Sequence, residues 1–181
     1  RKRFDRYRIK SAAVNFAVCR GALRKILSGY TGSKPEDIVF NYAESGKPSV
    51  NGIEFNMSHS EGSCLIAVSD IPVGIDLERI VERDFDNISK RYFSIAEHKQ
   101  IMSYNSPSLL FYRSWCMREA FAKLCGRKLS EIMSENYEFD SEKLSLGGCG
   151  GVFFSSLPFD GFCSVVCQHE GIPPVLYFPK F

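Results

Sequence analysis

The sequence contains no Cys-x-x-Cys pair, and its seven cysteines are odd in number. Most of them sit inside apolar patterns, where a reduced thiol behaves as a small hydrophobic side chain. The missing cysteine pairs argue against a zinc site, and the odd count argues against a disulfide framework. These absences favour a cytosolic protein with free thiols.

Long apolar runs are also missing. None approaches the roughly 20 residues of a membrane-spanning helix, and no signal-peptide core stands near the start. The 23 basic and 21 acidic residues leave a net charge of +2, so charge alone gives no support for nucleic-acid binding. With 181 residues, 44% of them hydrophobic, the chain can bury a substantial core as one domain or two small lobes.

Basic residues are concentrated at the start of the chain, in Arg1-Lys2-Arg3 followed by Arg6, Arg8 and Lys10. Two interpretations stay open: a solvated cluster before a helix, or a group of cations that faces a phosphate. The first residue is arginine rather than methionine, so we expect an N-terminal piece to have been removed or to be missing.

The hydrophobic pattern predicts an α+β chain in which helices are followed by strands twice. Helical spacing predicts a helix over residues 10–27, with Gly29 as its C-terminal stop, and a helix over 108–125, with Gly126 after its end. The capping box Ser94-x-x-Glu97 predicts a short helix between them. We expect two similar lobes that meet near residues 78–90. Short apolar runs between turn residues predict strands at 38–42, 53–57, 64–68, 73–78, 137–140, 152–157, 162–168 and 175–178.

Two carboxylates stand one residue apart at the end of an apolar run, in Val73-Gly74-Ile75-Asp76-Leu77-Glu78. On a strand this spacing turns Asp76 and Glu78 to one face, while Ile75 and Leu77 turn to the other, apolar face. Carboxylates this close repel each other unless a cation neutralises them, and oxygen donors favour Mg²⁺, Mn²⁺ or Ca²⁺ over zinc. A strand edge whose acids extend into solvent is the alternative.

A third carboxylate follows on a predicted helix, in Trp115-Cys116-Met117-Arg118-Glu119-Ala120-Phe121-Ala122-Lys123. The spacing of Glu119 and Lys123 fits an ordinary surface ion pair. Trp115 and Ala122, however, give these charges apolar surroundings, where a glutamate beside a metal is suited to take a proton and a lysine to stabilise a leaving phosphate oxygen. Three carboxylates and an ammonium together suggest Mg²⁺-dependent chemistry on a phosphate ester.

Two polar bends precede the acidic residues. Asn56-Met57-Ser58-His59-Ser60 carries a serine and a histidine that can donate hydrogen bonds to a phosphate, although a lone histidine in a bend is more often structural. Gly46-Lys47-Pro48 fits either a plain turn or a lysine presented to an anionic or adenine-bearing ligand. His98 and His169 have no evident partner and are predicted to be surface residues.

Taken in chain order, these motifs closely resemble those of the Sfp-type 4′-phosphopantetheinyl transferases. Arg91-Tyr92-Phe93-Ser94-x-x-Glu97 is similar to the stretch Arg-Phe-Phe-Ser-x-x-Glu that the family carries between its two acidic motifs. The match runs from about Phe4 to Gln168, which is most of the chain.

The resemblance implies a fold and an activity. The fold would be a pseudo-twofold α+β monomer of two lobes, 1–80 and 81–181, the first without its initial strand, each a small antiparallel sheet with packed helices. Coenzyme A would bind in the cleft between the lobes. The implied enzyme is a cytoplasmic holo-[acyl-carrier-protein] synthase that uses Mg²⁺ or Mn²⁺ and binds neither nucleic acid nor membrane. It would transfer the 4′-phosphopantetheine arm of coenzyme A to a serine of an apo acyl or peptidyl carrier protein and release adenosine 3′,5′-bisphosphate.

The matched motifs also imply a site. Glu119, or a water that it orients, would take the proton from the carrier serine, which attacks the β-phosphate. Lys123 would contact the coenzyme and support the leaving phosphate, and His59 would contact a phosphate. The Mg²⁺ ligands would be Asp76, Glu78 and Glu119. The coenzyme site would be lined by Gly46, Lys47, Pro48, Ser58 and His59.

The sequence departs from the family pattern in two places. Arg118 stands where the family commonly has lysine. Arginine keeps the positive charge, so catalysis should survive, but the hydrogen-bond geometry to a phosphate should change. The family also has a strand and a basic segment before the Arg3-Phe4 region, which we expect to be missing here. A basic contact to the coenzyme 3′-phosphate would then fall at or just before Arg1. We expect weakened coenzyme binding if the native protein lacks that segment.

Two other functions stay open. A Mg²⁺-dependent nuclease also surrounds its metal with Asp, Glu and Lys, but usually carries the Glu and Lys two residues apart on a strand, whereas Glu119 and Lys123 are four apart on a helix. A coenzyme A- or carrier-binding module without turnover is the non-enzymatic alternative, and the presence of all three acids and the lysine counts against it. Fatty-acid, polyketide and nonribosomal peptide carriers are all open as partners.

Overall fold

The structure, a computed structural model, describes residues 10–44, 46–147, 151–171 and 173–175, with side chains from Val14 onward. A 3-10 turn spans Pro35–Asp37. The helices of this part of the chain are α1 (Lys10–Thr31), α2 (Phe85–Tyr92), α3 (Ile95–Ser103), α4 (Pro107–Cys125) and α5 (Leu129–Ser134). Its strands are β1 (Asn41–Tyr42), β2 (Pro48–Ser49), β3 (Glu54–Ser60), β4 (Ser63–Ser69), β5 (Val73–Arg79), β6 (Glu138–Asp140), β7 (Ser145–Gly147), β8 (Phe153–Ser156) and β9 (Phe162–Gln168).

The strands form small antiparallel sheets. β1 pairs with β2, β3 with β4 and β6 with β7, and a three-stranded sheet has the order β5-β9-β8. Together with the helices, these sheets confirm the predicted α+β class. The pseudo-twofold relation and the division into lobes 1–80 and 81–181 stay predictions; β5 pairs with β9 across that division.

The larger core lies where α4 packs on β5 and β9. Leu110, Met117 and Ala120 of α4 and Val165 of β9 have no measurable exposure. Burying each large side chain of this kind contributes about 1.5–3 kcal/mol, so this interface fixes α4 firmly against the sheet. A second cluster lies under α1 and consists of Leu23, Leu27, Ile38 and Phe55.

Polar side chains join the β3–β4 hairpin to β5. Asn56, Ser58 and Ser60 alternate along β3 and therefore share one face. The side-chain oxygen of Asn56 accepts a hydrogen bond from the backbone N–H of Ile75 at 3.4 Å, and Ser60 Oγ accepts one from the N–H of Arg79 at 3.0 Å. The prediction of a bend at Asn56–Ser60 is wrong, because these residues continue β3 and pair with β4. The contacts hold this polar part of β3 beside the acidic end of β5.

The ends of the helices follow capping chemistry. Ser94 Oγ accepts from the N–H of Glu97 at 3.2 Å and the Glu97 carboxylate accepts from the N–H of Ser94 at 3.2 Å, which confirms the predicted capping box. The helix predicted over 108–125 is confirmed, and Gly126 follows it with φ 66°. The prediction that α1 ends at Gly29 is wrong. The helix continues to Thr31 because the left-handed conformation that ends it is taken by Gly32, with φ 69°.

Other predicted elements differ in length or number. The strand predicted at 38–42 contains only Asn41–Tyr42, while the strand at 162–168 is confirmed. α2, α5 and β7 have no counterpart among the predictions, since each is too short to show a clear period. The basic cluster over residues 1–9 and residues 176–178 of the last predicted strand lie outside the described residues.

The prediction of a surface position is wrong for one of the two remaining histidines. His169 is exposed as expected. The His98 side chain is only 16% exposed, because its Nδ1 lies 2.8 Å from Oγ of Ser89, which is buried on α2. His98 therefore bridges α2 and α3.

The described cysteines are free thiols, four of them buried: Cys19, Cys116, Cys163 and Cys167. Within the described ranges, no helix combines the length and apolar character that crossing a membrane requires. The cytosolic location stays a prediction.

Candidate active site

One face of α4 carries the predicted catalytic pair. Trp115, Glu119 and Lys123 follow one another at four-residue intervals and so lie along the same side of the helix. Lys123 Nζ donates hydrogen bonds to Asp76 Oδ1 at 2.6 Å and to the carbonyl of Ile75 at 3.1 Å. Lys123 thus pairs with Asp76 of β5. The structure does not contain the alternative, a surface ion pair between Lys123 and Glu119.

Asp76 is a buried carboxylate, with 3% of its surface exposed. Its Oδ1 accepts from Ser58 Oγ at 2.8 Å as well as from Lys123, and Ser58 Oγ in turn lies 3.1 Å from Lys123 Nζ. Its Oδ2 is buried and accepts no hydrogen bond of normal length. The buried Cys116 thiol lies close to this carboxylate: burial raises the pKa of the thiol most, and Cys163 and the charge of Asp76 raise it further. Buried polar atoms are almost always paired, so an unpartnered carboxylate oxygen marks a place for a cation or a donor.

Glu78 and Glu119 are half-buried and are influenced by Asp76. Burial raises the pKa of Glu78 most, and the negative charges of Asp76 and Glu119 raise it further, against the opposing effect of Lys123. Burial also raises the pKa of Glu119, with Lys123 lowering it and Asp76 adding to the rise. The three acids therefore form one electrostatic neighbourhood, supplied by β5 and α4.

The chemistry of this donor set fits a divalent cation. Three carboxylates face one ammonium, that of Lys123, so the group has negative charge in excess. Its donors are oxygens, which suit hard cations such as Mg²⁺. Among the described residues, no three acidic, histidine or cysteine side chains already surround a common point. The unpartnered Oδ2 of Asp76 is the ligand atom that the fold presents most clearly.

A cavity of about 300 Å³ adjoins the acids and is bounded by α1, β3 and the end of α4. It brings together most residues predicted to line the coenzyme site: Gly46, Lys47, Pro48, His59 and Lys123. Ser58 is held at its edge by the contact with Lys123. The other lining residues are Phe16, Arg20, Leu23, Phe55, Asn56, Met57, Ala122, Gly126 and Arg127.

The cavity has a positive wall. Among the described residues, no acidic side chain lines it, whereas Arg20, Lys47, Lys123 and Arg127 do. Lys47 Nζ donates to the carbonyl of Leu124 at 3.4 Å, at the negative end of α4, and burial lowers the pKa of this lysine. Such a cavity is suited to a polyphosphate anion.

Sequence reasoning missed two of these cations. Arg20 donates to the Tyr42 hydroxyl and lies over the Phe40 ring, 4.8 Å from its centre. Arg127 lies 3.2 Å from Glu131 and also pairs with Glu135. Only weak signals in the sequence could have identified these two arginines. Arg20 lies on α1, which bounds the cavity, and Arg127 directly follows Gly126, which ends α4.

The structure corrects the expectation for Arg118. Its Nη2 donates to Glu97 at 2.5 Å, its Nη1 donates to the carbonyl of Ser114 at 3.1 Å, and only 4% of the residue is exposed. The guanidinium lies between the Phe93 and Phe139 rings, 4.7 and 4.3 Å from their centres. Arg118 therefore ties α3 to α4 and leaves no donor directed at a phosphate in the cavity.

This position gives Arg118 a large effect on stability. Arg118→Met should lower the free energy of unfolding by about 3 kcal/mol, because it leaves the Glu97 carboxylate without its buried partner. Arg118→Lys should recover part of that loss, since it keeps the charge but not the planar group between the two rings. Urea denaturation measures both, with Lys128→Met at an exposed position as the control. A change below about 0.5 kcal/mol in Arg118→Met, the range of ordinary surface substitutions, would contradict this role.

Comparison with known proteins identifies the family. Residues 72–156 match the model described as the 4′-phosphopantetheinyl transferase superfamily. The chain is 34% identical over 143 residues to the 4′-phosphopantetheinyl transferase HetI of Nostoc sp., covering 72% of this chain and 60% of that protein. It is 39% identical over 104 residues to the 4′-phosphopantetheinyl transferase psf-1 of Bacillus pumilus (55% and 44%), and 32% identical over 113 residues to Sfp of Bacillus subtilis (60% and 50%).

The matches span only about 44–60% of the length of these relatives. The family-model match over residues 72–156 includes both acidic motifs. The family predicted from the motifs is thereby confirmed, and the chain belongs to the 4′-phosphopantetheinyl transferase superfamily.

Proposed function

We propose that this chain transfers the 4′-phosphopantetheine arm of coenzyme A to a serine of an apo acyl or peptidyl carrier protein, with release of adenosine 3′,5′-bisphosphate. The observation that carries the proposal is the buried Asp76, whose Oδ2 is unpartnered, beside Glu78, Glu119 and Lys123 at the edge of a basic cavity. The three relatives described above are 4′-phosphopantetheinyl transferases, which supports the same reaction. We propose that the protein acts as a cytoplasmic monomer.

Asp76, Glu78 and Glu119 would hold Mg²⁺, or Mn²⁺ in its place. The bound ion would neutralise the negative charge of the coenzyme diphosphate. Asp76 contributes its unpartnered oxygen, and its other oxygen stays fixed by Ser58 and Lys123.

Glu119 is suited to be the general base. Burial raises the pKa of its carboxyl, which favours proton uptake from a hydroxyl. The carrier serine loses its proton to Glu119, or to a water that Glu119 orients, and its oxygen forms a bond to the β-phosphorus. The bond from that phosphorus to the bridging oxygen breaks, and this oxygen leaves on adenosine 3′,5′-bisphosphate. In the structure the three N–H groups of Lys123 bond Asp76, the carbonyl of Ile75 and Ser58. Lys123 would release one of these bonds to donate to the leaving oxygen, and its positive charge would stabilise that oxygen.

The cavity would hold the nucleotide part of coenzyme A. Lys47 and His59 are suited to its phosphates, while Gly46 and Pro48 let the backbone approach closely. The absence of acidic side chains among the described lining residues removes a source of repulsion.

A coenzyme-binding module without turnover is the second candidate, because Lys123 already neutralises Asp76 in the structure. A nuclease has less support, since Glu119 and Lys123 stand on a helix. Transfer to a carrier separates the first two candidates.

We expect the carrier to gain one phosphopantetheine arm when the protein is mixed with coenzyme A, Mg²⁺ and an apo carrier, as measured by intact-mass spectrometry. EDTA should abolish the gain, and added Mg²⁺ should restore it. Coenzyme binding without a mass gain on apo acyl and apo peptidyl carriers would favour the binding module. No coenzyme binding at all would contradict both.

A further inference from the structure

The Cys116 thiol of α4 is buried beside two hydrogen-bond acceptors. Cys116 has no measurable exposure and stands three residues before Glu119 on α4. Its Sγ lies 3.6 Å from the carbonyl oxygen of Cys163 on β9. The same thiol also lies close to the Asp76 carboxylate on β5. Cys116 therefore contacts a candidate cation ligand from inside the core, away from solvent.

The thiol keeps its proton in this position. Burial raises the pKa of Cys116 most, and the contact with Cys163 and the charge of Asp76 add to the rise. A neutral thiol is a weak donor with a single proton. It can donate to the carbonyl of Cys163 or to the carboxylate of Asp76, but not to both at once. Rotation about the Cβ–Sγ bond turns the proton from one acceptor to the other without moving the sulfur.

The two oxygens of Asp76 differ in how they are held. Oδ1 accepts from Ser58 at 2.8 Å and from Lys123 at 2.6 Å, whereas Oδ2 is buried and accepts no hydrogen bond of normal length. A buried carboxylate oxygen without a donor costs free energy, and the thiol of Cys116 can supply the missing donor. A cation at this oxygen would repel the thiol proton, and the carbonyl of Cys163 offers that proton another acceptor.

We infer that Cys116 is a positioning residue of the cation site: its thiol donates to the Asp76 carboxylate in the metal-free protein and turns to the carbonyl of Cys163 when a divalent cation binds. The inference rests on the proposed function and deepens it, because it names a residue outside the ligand set that tunes the affinity for the cation. The thiol stabilises the metal-free protein, so the cation has to replace a hydrogen bond at Asp76. Cys116 therefore weakens cation binding.

Removal of the thiol tests the inference. Cys116→Ala removes the donor, while Cys116→Ser keeps one. Cys167→Ala is the matched control, because Cys167 is equally buried in the same core cluster and the charge that raises its pKa is that of Cys125, not of Asp76. Binding of Mn²⁺ alone is measured by electron paramagnetic resonance. The melting temperature is measured in EDTA and in saturating Mn²⁺.

Cys116→Ala should bind Mn²⁺ about three- to tenfold more tightly than the wild-type protein, the range that the net free energy of one hydrogen bond gives. In EDTA it should melt about 2–4 °C below Cys167→Ala, the shift expected for a loss of that size in a chain of this length. Saturating Mn²⁺ should narrow this difference. Cys116→Ser and Cys167→Ala should keep the wild-type affinity for Mn²⁺.

Equal Mn²⁺ affinities of Cys116→Ala and Cys167→Ala would overturn the inference, because a thiol that only fills space affects the metal-free and the loaded protein alike. Binding by Cys116→Ser as tight as that of Cys116→Ala would also overturn it, since the serine retains a donor. Transfer to an apo carrier is followed in parallel. If the wild-type protein binds Mn²⁺ but transfers nothing, the proposed function fails, and the Mn²⁺ affinities still decide the role of Cys116.

Discussion

Glu119→Gln should lower the rate of phosphopantetheine transfer by about 10²–10⁴-fold, the range associated with losing a general base. The substitution keeps the size of the side chain, so the packing of α4 on β5 and β9 should survive. It removes the proton acceptor and one of the three negative charges of the site. Glu119 does not line the cavity, and Asp76 and Glu78 would still hold the cation, so coenzyme A should keep much of its affinity. Transfer is followed by intact-mass spectrometry and coenzyme binding by titration calorimetry.

Glu36→Gln is the matched control for this variant. Glu36 is exposed in the 3-10 turn after α1 and does not line the cavity. The same loss of one carboxylate there should leave transfer unchanged. Transfer by Glu119→Gln at the wild-type rate would refute the role given to Glu119. A loss of coenzyme binding in parallel with transfer would instead place Glu119 in the coenzyme site.

The sequence was most informative where structure is decided by near neighbours. The capping box of Ser94 and Glu97, and the glycine that ends α4, depend on residues within one turn, and both predictions are confirmed. The acidic end of β5 was readable for the same reason. Alternation along a strand predicted Asp76 and Glu78 on one face and Ile75 and Leu77 on the other, and Ile75 and Leu77 are buried in β5. This period could be predicted because it does not depend on distant parts of the chain.

The pairing of charges could not be read in this way. Lys123 has Glu119 within one turn, which favoured a pair on the helix, yet its ammonium reaches Asp76 on another element. Arg118 was expected near a phosphate, but Glu97 of α3 holds it in the core. Each outcome depends on how α4 is placed against β5 and α3. That placement is decided by apolar packing, which no local pattern of charges encodes.

At Gly74 the backbone of β5 lies against the backbone of α4. A Cβ atom on Gly74 would lie 1.9 Å from the carbonyl oxygen of Ala120 and 2.7 Å from the backbone nitrogen of Leu124. Both neighbours are backbone atoms of a helix, so no side-chain rotation relieves the overlap. Gly74→Ala should therefore lower the free energy of unfolding by about 3 kcal/mol or more, at the upper end of the cost of overpacking. For a chain of this length the melting temperature should fall by roughly 6–12 °C.

Gly21→Ala provides the opposite control. Gly21 is exposed in the middle of α1, and a Cβ there would meet no atom within 4 Å. An alanine at this position should stabilise the helix by about 0.5–1 kcal/mol, because glycine loses more backbone freedom on folding. Thermal denaturation of both variants separates the effect of a close approach from the general effect of replacing glycine. A normal melting temperature for Gly74→Ala would mean that α4 is not seated on β5 in this way. The pairing of Lys123 with Asp76 depends on that seating, so the same result would remove the basis of the proposed site.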